Sequence, residues 1–350
     1  MVVRAHEHRY LALDGLRGIA VLLVFCVHAA GNAAKVVYGH DFEAASFLSL
    51  NSAGERALFW LFRSHHGVFL FFVLSGFLIG RMWWPRVALP YARFAWRRTL
   101  RIYPAFLVAF AASLLFAWHS GTWQPSEVAR AAGNLFFLNG APASRVVPFN
   151  IVTWSLFYEM TFYLVFPLLL FFARSAVTVA IAGIVAPVIA VLTGADVLVL
   201  CWSLLFCGVL LASSEHGLRA SLARVPAPLV LLFYFAITTA AMLDALPVIV
   251  AMLAFGVAAA AIIAKSLEPG NLIARGLALS PLRALGRVSY SFYLVHWMIV
   301  VLVARSVDGV LPPVAATLAI FAVGFTLSAI AATVSWWIAE RPYFAWVAKA

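Results

Sequence analysis

Three ionisable residues, Asp14, Arg17 and His28, interrupt the first apolar run of the chain, Leu13–Ala29. Charged or titratable groups inside a bilayer-length run are costly, so they mark a candidate functional site. Arg17 and His28 are eleven positions apart. At about 100° per residue that is three turns plus about 20°, so the two share a helix face and stand roughly 16 Å apart along the axis. Asp14 falls within about 40° of the same stripe. One face thus offers an anion-binding guanidinium at its entry and an imidazole, a potential general base, deep inside. Other groups with chemistry to offer are Glu159 and Trp154 near the start of a later apolar run, the Arg97, Arg98, Arg101 cluster, and Tyr293 with His296.

These residues must be positioned by membrane helices. The chain has 350 residues, of which 65% are hydrophobic and 11% charged. Its mean hydropathy is +1.01. Soluble domains carry about 25% charged residues, so the composition is that of an integral membrane protein lying in a lipid bilayer. The net charge of +11 does not point to nucleic acid. The basic residues cluster in short loops between apolar runs, as membrane topology requires. Cys26, Cys201 and Cys207 all lie inside apolar segments and read as buried small hydrophobes rather than disulfide partners. The start of the chain superficially resembles a signal peptide, with Arg4 and Arg9 ahead of an apolar run and small residues from Ala29 to Ala34. Asp14 and Arg17 weigh against cleavage, and the segment reads as a retained first helix.

Runs long enough to cross a bilayer are expected near 11–31, 58–80, 102–119, 151–173, 175–194, 196–213, 227–243, 246–264, 288–305 and 314–338, about ten spans in an all-α polytopic bundle. Between the fifth and sixth, only Gly194-Ala195-Asp196 marks a break. With the first residue inside, seventeen of the 24 basic residues fall on inward segments, among them Arg86, Arg174 and Lys349, and six on outward ones. That bias places both termini in the cytoplasm. The outward loops are 32–57 and 120–150, the latter rich in Gly and Pro, with a short helix expected around Glu127–Phe137. Arg81 to Arg101 carries six Arg and no acidic residue. His65 and His66 sit at an outward helix end, where solvation is expected.

Asp14-Gly15-Leu16-Arg17-Gly18 followed by His28, then Phe71-Phe72-Val73-Leu74-Ser75-Gly76-Phe77-Leu78-Ile79, resembles the acyltransferase-3 family of membrane O-acyltransferases. Arg97-Arg98-Thr99-Leu100-Arg101-Ile102-Tyr103-Pro104, Trp154-Ser155-Leu156-Phe157-Tyr158-Glu159, Tyr290-Ser291-Phe292-Tyr293-Leu294-Val295-His296 and Glu340-Arg341-Pro342 complete the pattern in the family's order. The resemblance spans nearly the whole chain, read as one transmembrane acyltransferase domain over 1–350. It implies transfer of an acyl group, commonly acetyl, from cytoplasmic acyl-CoA to a hydroxyl, often on a glycan or glycosylated lipid at the far side of the cytoplasmic membrane. Acyl-CoA is then a co-substrate, and no permanently bound cofactor is expected.

On that reading His28 takes the hydroxyl proton or first accepts the acyl group itself; a purely structural interhelical hydrogen bond is the bland alternative. Glu159 is the expected partner, fixing the imidazole's tautomer, or else a binder of the acceptor's hydroxyls, or one half of an ion pair. Arg17 reaches a CoA phosphate or snorkels to lipid. Asp14 is expected near substrate, with a helix N-cap as the alternative. Arg97, Arg98 and Arg101 grip CoA phosphates or serve topology alone. Trp154 stacks on a sugar or sits at the interface as Trp commonly does, and Tyr293 and His296 line the acceptor cavity or make interhelical contacts. Ser75 lacks a Gly-x-Ser-x-Gly elbow and is not read as a nucleophile; Ser75-Gly76 is expected to permit close backbone packing. No spacing of Cys, His or acidic residues argues for a metal.

Two departures from the family's pattern stand out. Phe69 follows Gly67-Val68, where relatives often have an acidic or polar residue, and the sequence ends soon after Pro342, as in a short form without an extracytoplasmic esterase-like domain. The rival reading is a transporter of a glycan or lipid-linked intermediate, which would bury the same kinds of groups.

Overall fold

The computed structural model describes residues 2–43, 45–63, 66–83, 90–119, 127–173, 175–214, 217–268 and 270–347, with the backbone alone for 2–10. Arg86, Arg174, Lys349, His65 and the first part of the 120–150 loop therefore lie outside the described residues. The fold is an all-helical, polytopic membrane bundle, with no strand among the described residues. Its helices are α1 (Val2–Tyr38), α2 (Ala53–Phe62), α3 (His66–Trp83), α4 (Tyr91–His119), α5 (Glu127–Leu135), α6 (Trp154–Phe172), α7 (Ala176–Leu192) and α8 (Leu200–Ser213). They continue with α9 (Leu218–Arg224), α10 (Ala227–Met242), α11 (Val248–Ser266), α12 (Leu272–Leu277), α13 (Ser280–Arg287), α14 (Ser289–Val307), α15 (Pro313–Ser335) and α16 (Arg341–Val347).

Among the described residues, helix occupies the expected spans. Seven stretches among them are long and apolar enough to cross a bilayer, α8 and α9 form a bent pair, and α7 and α10 are shorter apolar helices. The break at Gly194-Ala195-Asp196 is real: Gly194 adopts φ +100°, and Asp196 caps the next turn by accepting from the Leu198 amide. Bulky apolar side chains such as Phe171, Phe172, Val314 and Leu318 are exposed, as lipid-facing positions should be. Helix α1 runs further than hydropathy suggests, to Tyr38. Ala29, Ala30, Ala33 and Ala34 are fully buried, so packing of small residues, not hydrophobicity, carries it beyond residue 31.

The chain forms two compact units. The first comprises Met1–Ala20, His66–Ala95 and Tyr158–Arg287. Here glycines let helix backbones touch. A Cβ on Gly76 of α3 would lie 1.8 Å from the Leu205 carbonyl oxygen of α8, and one on Gly208 of α8 would lie 2.0 Å from that of Val73. Gly76 is thus the close-packing residue expected of it. His66 departs from its expected solvation: it is 4% exposed and stacks on Phe255 at 3.6 Å, because α10 and α11 bring Tyr234 and Phe255 over that helix end.

The second unit comprises Val21–His65, Trp96–Phe157 and Val288–Ala350. Phe25 on α1 meets Phe292 of α14 and Phe321 and Phe325 of α15 edge to face, at 6.0, 6.2 and 5.5 Å. Such a cluster fixes both the rotation and the height of α1 against α14. Helix α5 and the turn after it close the 127–153 segment, with Phe137 in the left-handed region.

Candidate active site

In the second unit, one turn beyond the Phe25 cluster, His28 faces His296 of α14. Their ring centroids are 5.2 Å apart and the planes are tilted by 47°. His28 is half-buried, and His296 is completely buried. His296 Nδ1 lies 2.8 Å from the Tyr293 carbonyl oxygen and 3.1 Å from that of Phe292. The Phe292 ring stacks on it at 5.9 Å, nearly parallel.

The loop before α6 is tied to the same stretch of α14. Tyr293 donates its hydroxyl to the Val152 carbonyl at 2.5 Å and meets Ser155 Oγ at 2.7 Å. Asn150 donates to the Leu294 carbonyl at 2.7 Å. Trp154, half-buried on the first turn of α6, has its backbone pressed on Gly140, where a Cβ would lie 2.0 Å from the Trp154 carbonyl oxygen. So the turn that carries Trp154 is tied by hydrogen bonds of its neighbours to the stretch of α14 that carries Tyr293 and His296.

Three sequence-distant motifs converge at Arg101. The stretch 91–101 is helical, part of α4. Arg101 forms an ion pair with Glu340, which sits at the end of a π-helical turn, Trp336–Glu340, and is 2% exposed. The other Glu340 oxygen accepts from Ser291 Oγ at 2.6 Å and from the Ser291 amide at 3.1 Å. Tyr290 donates to the Ile102 carbonyl at 3.0 Å. The Arg101 guanidinium also lies over Phe344 at 4.6 Å. Arg97 lies over Trp346 at 5.9 Å, and its Nε is buried with no hydrogen-bond partner among the described residues. Arg98, one residue on, is half-buried.

The first unit holds Asp14, Arg17 and Glu159. Asp14 lies well inside α1, not at its start, so the N-cap alternative does not apply. It is within Coulombic reach of Arg17, Arg287 and Arg283. Backbone contact sets this up: a Cβ on Gly15 would lie 1.8 Å from the Leu277 carbonyl oxygen, one on Gly18 2.1 Å from that of Leu282, and one on Gly286 1.8 Å from that of Asp14. The glycines of Asp14-Gly15-Leu16-Arg17-Gly18 therefore seat α1 directly on α12 and α13. Three guanidiniums around one carboxylate leave an excess of positive charge, suited to an anion. Glu159 Oε1 accepts from Ser75 Oγ at 2.8 Å and from the Tyr163 hydroxyl. Ser75 is thus a carboxylate donor, a role its sequence context did not suggest.

Arg283, Arg287, Tyr163 and Ser291 are additions that sequence reasoning missed. Tyr163 stands four residues after Glu159, a spacing at which helical side chains meet, and was legible in principle. The others depend on which helices touch.

The acyltransferase-3 family, an acyltransferase domain, matches residues 10–333. The chain belongs to that family. It is 30% identical over 165 residues to Acyltransferase MdmB of Streptomyces mycarofaciens. The aligned stretch is 46% of this chain and 39% of that relative, so the chain spans well under half of that curated protein's length. No solved structure matches.

Proposed function

We propose that the protein transfers an acyl group, acetyl being the expected one, from acyl-CoA to a hydroxyl of a glycan or glycosylated lipid. The observation that carries this reading is the imidazole pair: in an acyltransferase-family chain, His28 stands 5.2 Å from His296 between apolar helices. An imidazole can take a hydroxyl proton near neutral pH. As the oxygen attacks the thioester carbonyl, His28 holds that proton; the C–S bond then breaks and the thiolate takes it up. Transfer through an acyl-His28 intermediate uses the same residue as nucleophile.

Arg17 with Arg283 and Arg287 supplies guanidiniums for the coenzyme's phosphates, and Arg97 and Arg98 of the second unit are a separate basic group with the same capacity. Arg101 is a positioning residue in this scheme, since Glu340 already holds it. Glu159, gripped by Ser75 and Tyr163, serves as a fixed carboxylate for acceptor hydroxyls. Asp14 orders the guanidiniums around it, while Trp154 and Tyr293 belong to the acceptor side. The basic-residue bias supports cytoplasmic termini in the cytoplasmic membrane.

The test is a full-length chain in nanodiscs or native membranes, given labelled acetyl-CoA. Wild type releases free thiol, and His28→Ala slows release about 10²-fold or more. Thiol release that is absent, or unchanged in His28→Ala, overturns the reading; a carrier of the same glycan would leave the thioester intact.

A further inference from the structure

His296 is placed to do something that lining a cavity does not require. Its Nδ1 faces two carbonyl oxygens, at 2.8 and 3.1 Å. Carbonyls only accept, so Nδ1 carries the ring hydrogen and shares it between them. The lone pair is therefore on Nε2. That atom is buried and has no hydrogen-bond partner among the described residues. Anchored to its own helical turn and stacked on Phe292, the ring is a rigid acceptor that points a lone pair into the interior. Tyr293 cannot serve it, because its hydroxyl is engaged by Val152 and Ser155. The Phe292 ring has no donor to give. Among the described rings packed against His296, it is His28 that carries an N–H.

We infer that His296 is the positioning residue for His28, accepting an N–H hydrogen bond at Nε2 so that the His28 lone pair is turned to the acceptor hydroxyl. The bond is open in the resting geometry, where the rings are tilted by 47°. Rotation of the half-buried His28 ring closes it, and catalytic hydrogen bonds commonly tighten only once substrate is bound. The hydroxyl proton then goes to the other His28 nitrogen, the new C–O bond forms, the C–S bond breaks, and the thiolate takes the proton from His28. Through this cycle the second His28 N–H stays on His296. A neutral imidazole thereby fixes the tautomer, a job often done by a carboxylate, and does so from within His28's own unit.

The kinetic part rests on the acyl-CoA reading; the tautomer part does not. The experiment uses full-length protein labelled with 15N-histidine in nanodiscs, the His28 signals being assigned by their loss in His28→Gln. Wild type should show one His28 tautomer with a hydrogen-bonded N–H, and His296→Phe should show tautomer averaging. His296→Leu replaces it if Phe is not accommodated. With acetyl-CoA as donor in native membranes, His296→Phe should lower kcat for thiol release about 100-fold and leave KM for acetyl-CoA within about 3-fold. His296→Gln, which keeps an N–H donor and an acceptor oxygen, should recover most of the loss. Unchanged His28 signals in His296→Phe overturn the inference. So does a His296→Gln protein as slow as His296→Phe, or a KM that rises as far as kcat falls. A wild type that shows the tautomer shift yet consumes no acetyl-CoA sinks the acyl-CoA reading and leaves the positioning role standing.

Discussion

Glu340 and Glu159 are both carboxylates in apolar helices, yet their neighbours give them different work. Glu340 is almost completely buried against Arg101 and Ser291. Removing one partner of such a pair strands the other charge, at a cost of about 3–5 kcal/mol. Glu340→Ala should therefore lower the thermal midpoint of the purified protein markedly. The double variant Arg101→Met, Glu340→Leu should recover much of that stability, since an apolar pair of similar volume leaves no stranded charge. If the double variant is as unstable as the single one, the pair is not what holds α4 to α14 and the π-helical turn. Glu159 is only half-buried and takes two hydroxyl donors. A hydrogen bond to a charged group contributes about 1.5–3 kcal/mol. Ser75→Ala and Tyr163→Phe should each lower kcat/KM for acetyl-CoA-dependent transfer about 10-fold or more, and the pair together by more than either. Full activity in the double variant would remove Glu159 from the site.

At the scale of the element, the glycines of α1 and α13 act as the contact surface that places Asp14 and Arg17. A Cβ on Gly286 would meet the Asp14 carbonyl oxygen at 1.8 Å, an overlap that backbones must separate to relieve. Gly286→Ala should cost about 1–3 kcal/mol and weaken acetyl-CoA binding as Arg17, Arg283 and Arg287 move apart. Gly276→Ala is the control: nothing lies within 4 Å of its Cβ, and replacing a helical glycine there should stabilise the protein by about 0.4–1 kcal/mol. Thermal unfolding of the two variants side by side decides the matter, with equal effects counting against direct backbone contact. Element positions were largely legible from hydropathy, and the short helix α5 from its place in a Gly- and Pro-rich loop. The reach of α1 to Tyr38 was not, because buried alanines carry little hydropathic signal. His66 was misjudged for the opposite reason: a helix-end position reads as wet unless α10 and α11 are known to cover it.

On the scale of the whole molecule, the orientation proposed here rests on loop charge. The exposed Arg145 and Leu279 lie on segments expected outside and inside respectively. In intact cells, Arg145→Cys should react with a membrane-impermeant maleimide, and Leu279→Cys only after permeabilisation, each against the parent chain. The reverse pattern would invert the topology and carry the coenzyme side with it. Composition and patterning by themselves determined that this chain is a membrane helix bundle, with Arg17 and His28 on one helical face, because a period of 3.6 and a bilayer's thickness leave few alternatives. Family motifs named the chemistry. Only the tertiary structure decided that His28 meets His296, that Glu340 occupies Arg101, that Ser75 serves Glu159, and that Asp14 sits among three arginines. Apart from Asp14 and Arg17, which share α1, each of those contacts joins residues on different helical elements, and which helices touch depends on where small residues let backbones approach, a property of pairs that no single stretch of sequence contains.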